Sequence, residues 1–431
     1  MKMKRIMAMG LAAVMSMSLA ACGGSSSDEA ESAGGDKSAS SDELTVAIWD
    51  TNQEAGLSQI ISDFTEKTGI KVEIQVIPWN EYWTLLEAGA QGDTLPDVFW
   101  MHSNYSQKFM DNGILLDITD RVENSDVISL ENYYEDITAF YQSGGKTYGI
   151  PKDCDTIALW YNKTMFDEAG IAYPDETWTW DTLAETAKKL TKEDGSQYGF
   201  ASPASYTQDG YYNLIYDMGG TIINEDKTAS GWDDPKTIEA MNWWYDNLVS
   251  VSMPPQETMA ENGTDVLLQS GKIAMCMQGS WMVAAMKQNE YTQENCDVAV
   301  LPMAEDGTRI SIYNGLGWVA SANTANPEGA WELLEYLGSE EAQIKQAELG
   351  VTMSAYKGTS EKWISCAPEF NLQAYLDMTE DMVIRPYSRT TKLWEDYSQQ
   401  TMNKAYTGEM SMEDVCKDIA NYMNEKIESE N

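Results

Sequence analysis

Fifteen tryptophans and 23 tyrosines stand against seven phenylalanines in this chain, and that skew sets the chemistry it can perform. Trp and Tyr join a flat apolar face to a hydrogen-bonding tip, which suits a wet, partly apolar ring such as a sugar. Polar residues lie beside them. Trp49 precedes Asn52 and Gln53, Trp100 precedes His102, Ser103 and Asn104, and Asp153 and Asp155 flank Cys154. Such a set stacks on a ring and pairs with its hydroxyls, and it rejects analogues that would leave its own buried groups unpaired. Groups for covalent chemistry are scarce. With a single histidine, His102, neither a Ser–His–Asp triad nor a multi-histidine metal site is expected. No G-x-S-x-G, P-loop, H-E-x-x-H or G-x-G-x-x-G motif occurs. The 69 acidic residues keep paired carboxylates for glycoside hydrolysis as an alternative.

At 431 residues the chain is too long for one compact core and natural for two lobes. Its net charge of −41 repels phosphate backbones and anionic headgroups, which sets nucleic-acid binding aside. Plain solubility is the simplest account of that charge. Beyond Cys22 five cysteines remain, Cys154, Cys276, Cys296, Cys366 and Cys416, without metal-site spacing. At most two disulfides could form, Cys276 and Cys296 being nearest in sequence, and buried free thiols are the preferred reading.

The chain opens Met1-Lys2-Met3-Lys4-Arg5, followed by an apolar run from Ile6 to Ala21 that is too short to span a bilayer. Residues 1–21 therefore read as a secretory signal peptide. The tetrad Leu19-Ala20-Ala21-Cys22 resembles the lipobox of bacterial lipoproteins, which implies a lipid on Cys22 and a place on the outer face of the cell membrane. Residues 22–42, rich in Gly, Ser, Ala and acid, read as a disordered tether with a reach of roughly 25 Å.

Leu44 to Trp49 form an apolar run of strand length, and Leu57, Ile60, Ile61 and Phe64 recur at helical spacing before Gly69. Val72, Ile74 and Val76 alternate with polar residues, so a βαβ unit with a parallel strand pair is expected. A helix over 80–90 leads to a short strand at Pro96 to Trp100. Ligands of open α/β sheets sit beyond the carboxyl ends of the strands, which directs attention to residues 49–54 and 100–104. Further on, extended segments at 148–151 and 156–161 flank residues 152–155. Helices are expected over 180–190 and from Asp234-Pro235 through Leu248. Strands are expected at 272–277, 297–301 and 316–322. Asn326-Pro327 opens another helix, and Ser411 caps the last one, with Val415, Ile419 and Met423 inward.

Taken in order, Leu95-Pro96-Asp97-Val98-Phe99-Trp100, then Tyr148-Gly149-Ile150-Pro151 leading to Leu159-Trp160-Tyr161-Asn162-Lys163, then Met277-Gln278-Gly279-Ser280-Trp281 form a pattern. Gly315-Leu316-Gly317-Trp318, with Pro327 and Trp331 behind it, completes it. This pattern resembles the extracellular solute-binding proteins of family 1, the receptors of ABC sugar importers, from Leu44 nearly to the end. The resemblance implies an α/β, two-lobed periplasmic-binding-protein-like fold with hinge crossings and a ligand cleft between lobes. One lobe would combine 43–152 with 315–350 and the other 156–300 with 357–431, with hinges near 151–155, 300–314 and 351–356. It implies a monomer that takes a carbohydrate ligand, partners ABC permease subunits, and needs neither cofactor nor catalysis.

The resemblance also implies site residues. Trp100 and His102 match positions at the family's strand end, and Trp281 matches a stacking tryptophan of the second lobe, with Trp394 near another. Maltodextrin-binding members carry an acid and an arginine where this chain has Ser103 and Asn104, so hydrogen bonding is kept and both charges are lost. Asp155 falls on a ligand-binding acid after the first crossing, with Asp153 as a neighbour, and Asn52 and Gln53 follow the first strand. Trp49, Tyr212, Gly317, Trp318 and Arg385 complete the candidate set. Each has a plainer alternative: tryptophans pack in cores, Asp155 caps a turn, and Tyr206, Tyr211 and Tyr212 line either a cleft or the surface. Arg385, before Pro386, favours a surface salt bridge over a cleft partner, and His102 a structural role. On the same fold a polyamine or peptide receptor is the runner-up, through cation–π contact. A lipid-anchored adhesin is a third option.

Overall fold

The computed structural model describes residues 43–430, so the signal peptide, the tether and Cys22 lie outside the described residues. The strands that build the architecture are Glu43–Ile48 (β1), Lys71–Val76 (β2), Val98–Met101 (β3), Gly149–Pro151 (β4), Ile157–Asn162 (β5), Met275–Gly279 (β6), Cys296–Ala299 (β7), Ser311–Tyr313 (β8), Gly317–Ala320 (β9) and Met382–Ile384 (β10). Between β1 and β2 runs helix Thr51–Thr68, which buries Leu57, Ile60, Ile61 and Phe64. Asp50 caps its start by accepting the Asn52 N–H at 2.9 Å, and Gly69 ends it at φ 80°, a left-handed turn that glycine adopts without strain. The expected βαβ unit is present, with β1 and β2 parallel.

The first sheet has the order β2-β1-β3-β9-β4, with β9 antiparallel to both of its neighbours. A second, antiparallel sheet has β5 at its centre between β6 and β7. Two separate hydrophobic cores follow. One gathers Leu44, Val46, Ile48, Phe99, Trp100, Tyr141, Trp318 and Leu333 around the first sheet. The other gathers Trp160, Tyr211, Tyr212, Trp232, Trp244, Trp363 and Trp394 around the second. The molecule is thus a two-lobed α/β protein.

Three stretches of chain pass between these cores side by side. Isolated bridges join Asp153 to Ser354 and Asp155 to Asn314. The Lys152 N–H donates to the Leu316 carbonyl at 2.7 Å and the Asp155 N–H to the Asn314 carbonyl at 2.9 Å. Gly315 belongs here for a steric reason: a Cβ on it would stand 2.2 Å from the Asp153 carbonyl oxygen.

Several element ends differ from expectation. The strand expected at 272–277 is Met275–Gly279, because Ile273 is held by an isolated bridge to Tyr198 outside the ladder. The strands expected at 297–301 and 316–322 are Cys296–Ala299 and Gly317–Ala320. The helix begun at Pro235 widens into a π turn over Tyr245–Val249 instead of running straight through Leu248. Ser411 caps helix Met412–Glu428, whose Val415, Ile419 and Met423 face inward as expected.

All five described cysteines are free. Cys276 and Cys296 sit on β6 and β7, with β5 between them, which keeps this nearest pair apart. Burial pushes the Cys296 and Cys416 thiols up to about 12, so both are inert thiols. Among the described residues no helix is long and apolar enough to cross a membrane.

Candidate functional site

The carboxyl ends of β1 and β3 carry a wall of aromatic rings. Trp49 lies just past β1 and meets Trp79, Tyr82 and Trp100 edge-on, with ring centres 5.1, 5.0 and 5.0 Å apart. Trp79 opens helix Trp79–Gly92 behind Pro78 and is 41% exposed, while its edge meets His102 at 5.6 Å. Trp49 is half-buried and Trp100 fully buried. Trp49 and Trp79 therefore offer open ring surface, and Trp100 supports them from below.

Beside this wall the first lobe meets the second through polar groups. His102 caps helix Ser103–Asp111, its Nδ1 accepting the Asn104 N–H at 3.1 Å. Its Nε2 faces Arg385 Nη1 at 3.2 Å and the Asn314 side chain at 3.3 Å. Arg385 forms an ion pair with Glu395, and Asn104 Nδ2 donates to the other Glu395 oxygen. Thr207 Oγ1 donates to Glu395 at 3.2 Å and accepts from Arg385 at 3.3 Å. Buried polar atoms around this point remain without a partner: Ser103 Oγ, Asn104 Oδ1, Asn314 Oδ1 and Arg385 Nε. Unpaired buried groups are costly, so atoms of this kind mark where a bound molecule would complete the set.

The segment Thr207–Tyr211 departs from helical geometry at Asp209 and Gly210. That break lets Gln208 Nε2 reach Asp155 Oδ1 at 2.6 Å. Burial, then the neighbouring Asp153, pushes the Asp155 carboxyl well above its usual range. Burial likewise pushes Asp209 up to about 7 against the pull of Arg385. The His102 imidazole is held well below its ordinary value by burial and by the Arg385 charge, so it is neutral. A junction with neutral imidazole, amide and hydroxyl groups and partly protonated acids suits hydrogen-bonding solutes.

The remaining sequence candidates fall in different places. Gln53 is buried and takes the Lys152 ammonium at 3.1 Å, whereas Asn52 is exposed and turned back to Asp50 at 3.1 Å. Asp153 pairs with Lys152 at 2.7 Å and accepts the Leu316 N–H at 2.6 Å. Trp281 is half-buried, its ring lying on the bare backbone of Gly279, where a Cβ would stand 1.9 Å from it. Trp318 packs edge-on to Trp100 at 5.9 Å, and Gly317 leaves room for the Tyr141 ring, 2.7 Å from where its Cβ would be. Tyr212 and Trp394 are fully buried in the second core, and Trp394 Nε1 donates to Ser388 at 3.0 Å. Arg385 is not on the surface, as its position before Pro386 suggested. Strand β10 pairs with β8, and the Arg385 N–H donates to the Tyr313 carbonyl at 2.8 Å, which threads the side chain into the junction.

Sequence reasoning missed Trp79, Thr207, Gln208, Asp209, Asn314 and Glu395 as members of the junction. Glu395 had a readable signal. It shares the inward face of helix Thr391–Tyr406 with Trp394, Ser398 and Met402, where an unpaired carboxylate would not be tolerated. Among the described residues no group of three or more His, Cys, Asp or Glu could hold a metal ion.

Known proteins resemble this chain along most of its length. The galactooligosaccharide-binding protein of Bacillus subtilis is 28% identical over 77% of this chain and 75% of its own. The maltodextrin-binding protein MdxE of the same organism is 24% identical over 99% of this chain and 98% of its own. Among solved structures, an ABC substrate-binding protein of Listeria monocytogenes in complex with cycloalternan superposes with a TM-score of 0.81. It is 23% identical and covers 89% of this chain and 98% of that one. These relatives are binding proteins rather than enzymes. Residues 49–344, spanning the aromatic wall, the first two crossings and the Trp281 turn, match the sequence pattern of the bacterial extracellular solute-binding protein family, and the chain belongs to that family.

Proposed function

We propose that this protein captures a mono- or oligosaccharide between its lobes and delivers it to the membrane permease of an ABC importer. The observation that carries the reading is the open aromatic surface of Trp49 and Trp79 beside the unpartnered buried groups of Ser103, Asn104, Asn314 and Arg385. The C–H face of a sugar ring lies on an aromatic plane, and its hydroxyls supply the donors and acceptors that these groups lack. The sugars bound by the similar proteins support the same class. In this reading the three adjacent crossings, near 151–155, 300–314 and 351–356, are the hinge. The lobes they join are 43–152 with 315–350 and 156–300 with 357–431. The protein acts as a monomer held by a lipid on Cys22 at the outer face of the membrane, and no covalent step is needed.

Trp281 belongs to the second lobe's share of the site. Its substitution by alanine is expected to weaken sugar binding about tenfold or more while leaving the melting temperature nearly unchanged, since the ring is only half-buried at the margin of the second core. Unfolding of the variant would make Trp281 a core residue. The function itself is tested by thermal unfolding in the presence of a panel of neutral oligosaccharides. At least one should raise the melting temperature, because a ligand bound to the folded state alone stabilises it. An upshift with spermidine but with no sugar would overturn the substrate class, and release of reducing sugar would replace binding by hydrolysis.

A further inference from the structure

His102 is the only histidine of the chain, and it stands where the lobes meet. Three donors converge on its two ring nitrogens. The Asn104 N–H addresses Nδ1 at 3.1 Å, while Arg385 Nη1 and the Asn314 side chain address Nε2 at 3.2 and 3.3 Å. These partners come from different parts of the fold: the helix after β3, the segment after β10, and the second crossing. A neutral imidazole has one lone pair: with Nδ1 accepting the Asn104 N–H, Nε2 carries the proton and meets the Arg385 guanidinium without a charge of its own. An imidazolium has none, because both of its nitrogens become donors. It would lose the cap of helix Ser103–Asp111 and set a second positive charge against the Arg385 guanidinium.

We propose that His102 is a positioning residue that lets the two lobes meet at Arg385 only while it is neutral, so that closure of this receptor is pH-sensitive. The charged groups packed around it do not offset the added proton. Glu395 already serves Arg385, Asn104 and Thr207. Asp155 lies beyond Asn314 and takes Gln208, and Asp153 is paired with Lys152. Asp209 acts on Arg385, and on the ring's own lobe its neighbours are uncharged: the Asn104 N–H at 3.1 Å and the Trp79 ring, whose centre is 5.6 Å away. None of these acids bonds to the imidazole. In the closed form burial and Arg385 hold His102 well below 6.5; freed from that contact, the ring returns toward 6.5. The closed form then binds fewer protons than the open one. It is fully favoured above pH 6.5 and loses ground as the pH falls below it, by roughly tenfold per pH unit until the closed-state value is reached.

The inference rests on the lobes closing over a solute, as proposed above, but its test needs no solute, so the two readings fail separately. Asp155 and Asp209, raised by burial, push closure in the opposite direction with pH, and a control that keeps both removes their effect. The experiment is small-angle scattering of the chain without ligand at pH 7.5 and 5.5. It is run on the natural protein and on His102→Asn, whose side chain still caps the helix but does not titrate. The natural protein should expand at the lower pH and the variant should not. Magnetic resonance of the single imidazole supplies a second readout on the natural protein, and its midpoint should coincide with the expansion. Equal expansion of His102→Asn, no expansion of the natural protein, or two unrelated midpoints would each overturn the proposal. Should His102→Asn not fold, the coincidence of midpoints decides alone.

Discussion

Replacing Glu395 with alanine is expected to lower the stability of the fold by about 3–5 kcal/mol. The Arg385 and Glu395 side chains are only 8% and 2% exposed. Removing the carboxylate leaves a buried guanidinium without its paired carboxylate and takes away the acceptor used by Asn104 and Thr207. The loss reflects that uncompensated charge more than any net benefit of the pair. Glu395→Gln keeps one acceptor and should fall between the two. The double variant Arg385→Met with Glu395→Leu should recover most of the stability, since it restores an apolar contact without a buried charge. Urea unfolding of the four proteins measures this. A loss below about 1 kcal/mol in Glu395→Ala would mean that water reaches the pair and that the junction is not the dry polar contact described above.

Lys152→Met should be comparably damaging, at about 3 kcal/mol, and for a related reason where the chain leaves the first sheet. The Lys152 ammonium is fully buried, 2.7 Å from Asp153, 3.1 Å from Gln53 and 4.4 Å above the centre of the Trp100 ring. Its N–H donates to the Leu316 carbonyl just past the second crossing, and its carbonyl accepts from Gln346 at 2.9 Å and from the Ala355 N–H of the third crossing at 3.4 Å. One residue thus ties the first crossing to the third, to the strand that begins beyond the second, and to the floor of the aromatic wall. Asp153→Asn removes the other half of the pair. If the two act as a unit, the double variant costs clearly less than the sum of the single ones, with a coupling of about 1–3 kcal/mol. Simple additivity would show that Lys152 is held by packing alone.

The sequence made the scaffold legible wherever a pattern repeats locally. The alternation of Val72, Ile74 and Val76, the helical spacing of Leu57, Ile60, Ile61 and Phe64, and the Ser411 cap each lie within one element, and each is present as read. The ends of strands were less legible because hydrophobicity continues past the last ladder bond, as at Ile273. The junction was legible only in part. Trp49 and Trp100 are pointed out by the strand-end rule, since the wall follows from where β1 and β3 stop. The polar contacts do not. His102, Asn314 and Arg385 lie hundreds of residues apart in places and meet only because three crossings bring the lobes together. Nothing in a local window announces that Arg385 is buried. Trp79 was overlooked for a different reason: it falls just before the helix expected over 80–90 and outside the strand-end windows, whereas the structure starts the helix on it and leaves it open beside His102.

The central claim is that a neutral sugar completes the junction between the lobes. Calorimetric titration of the chain with malto- and galacto-oligosaccharides, and with spermidine as the cationic control, tests it most directly. The account predicts saturable binding of at least one oligosaccharide at one site per chain, with quenching or shift of tryptophan emission as Trp49 and Trp79 are covered. Saturable binding of spermidine with no heat from any sugar would contradict it.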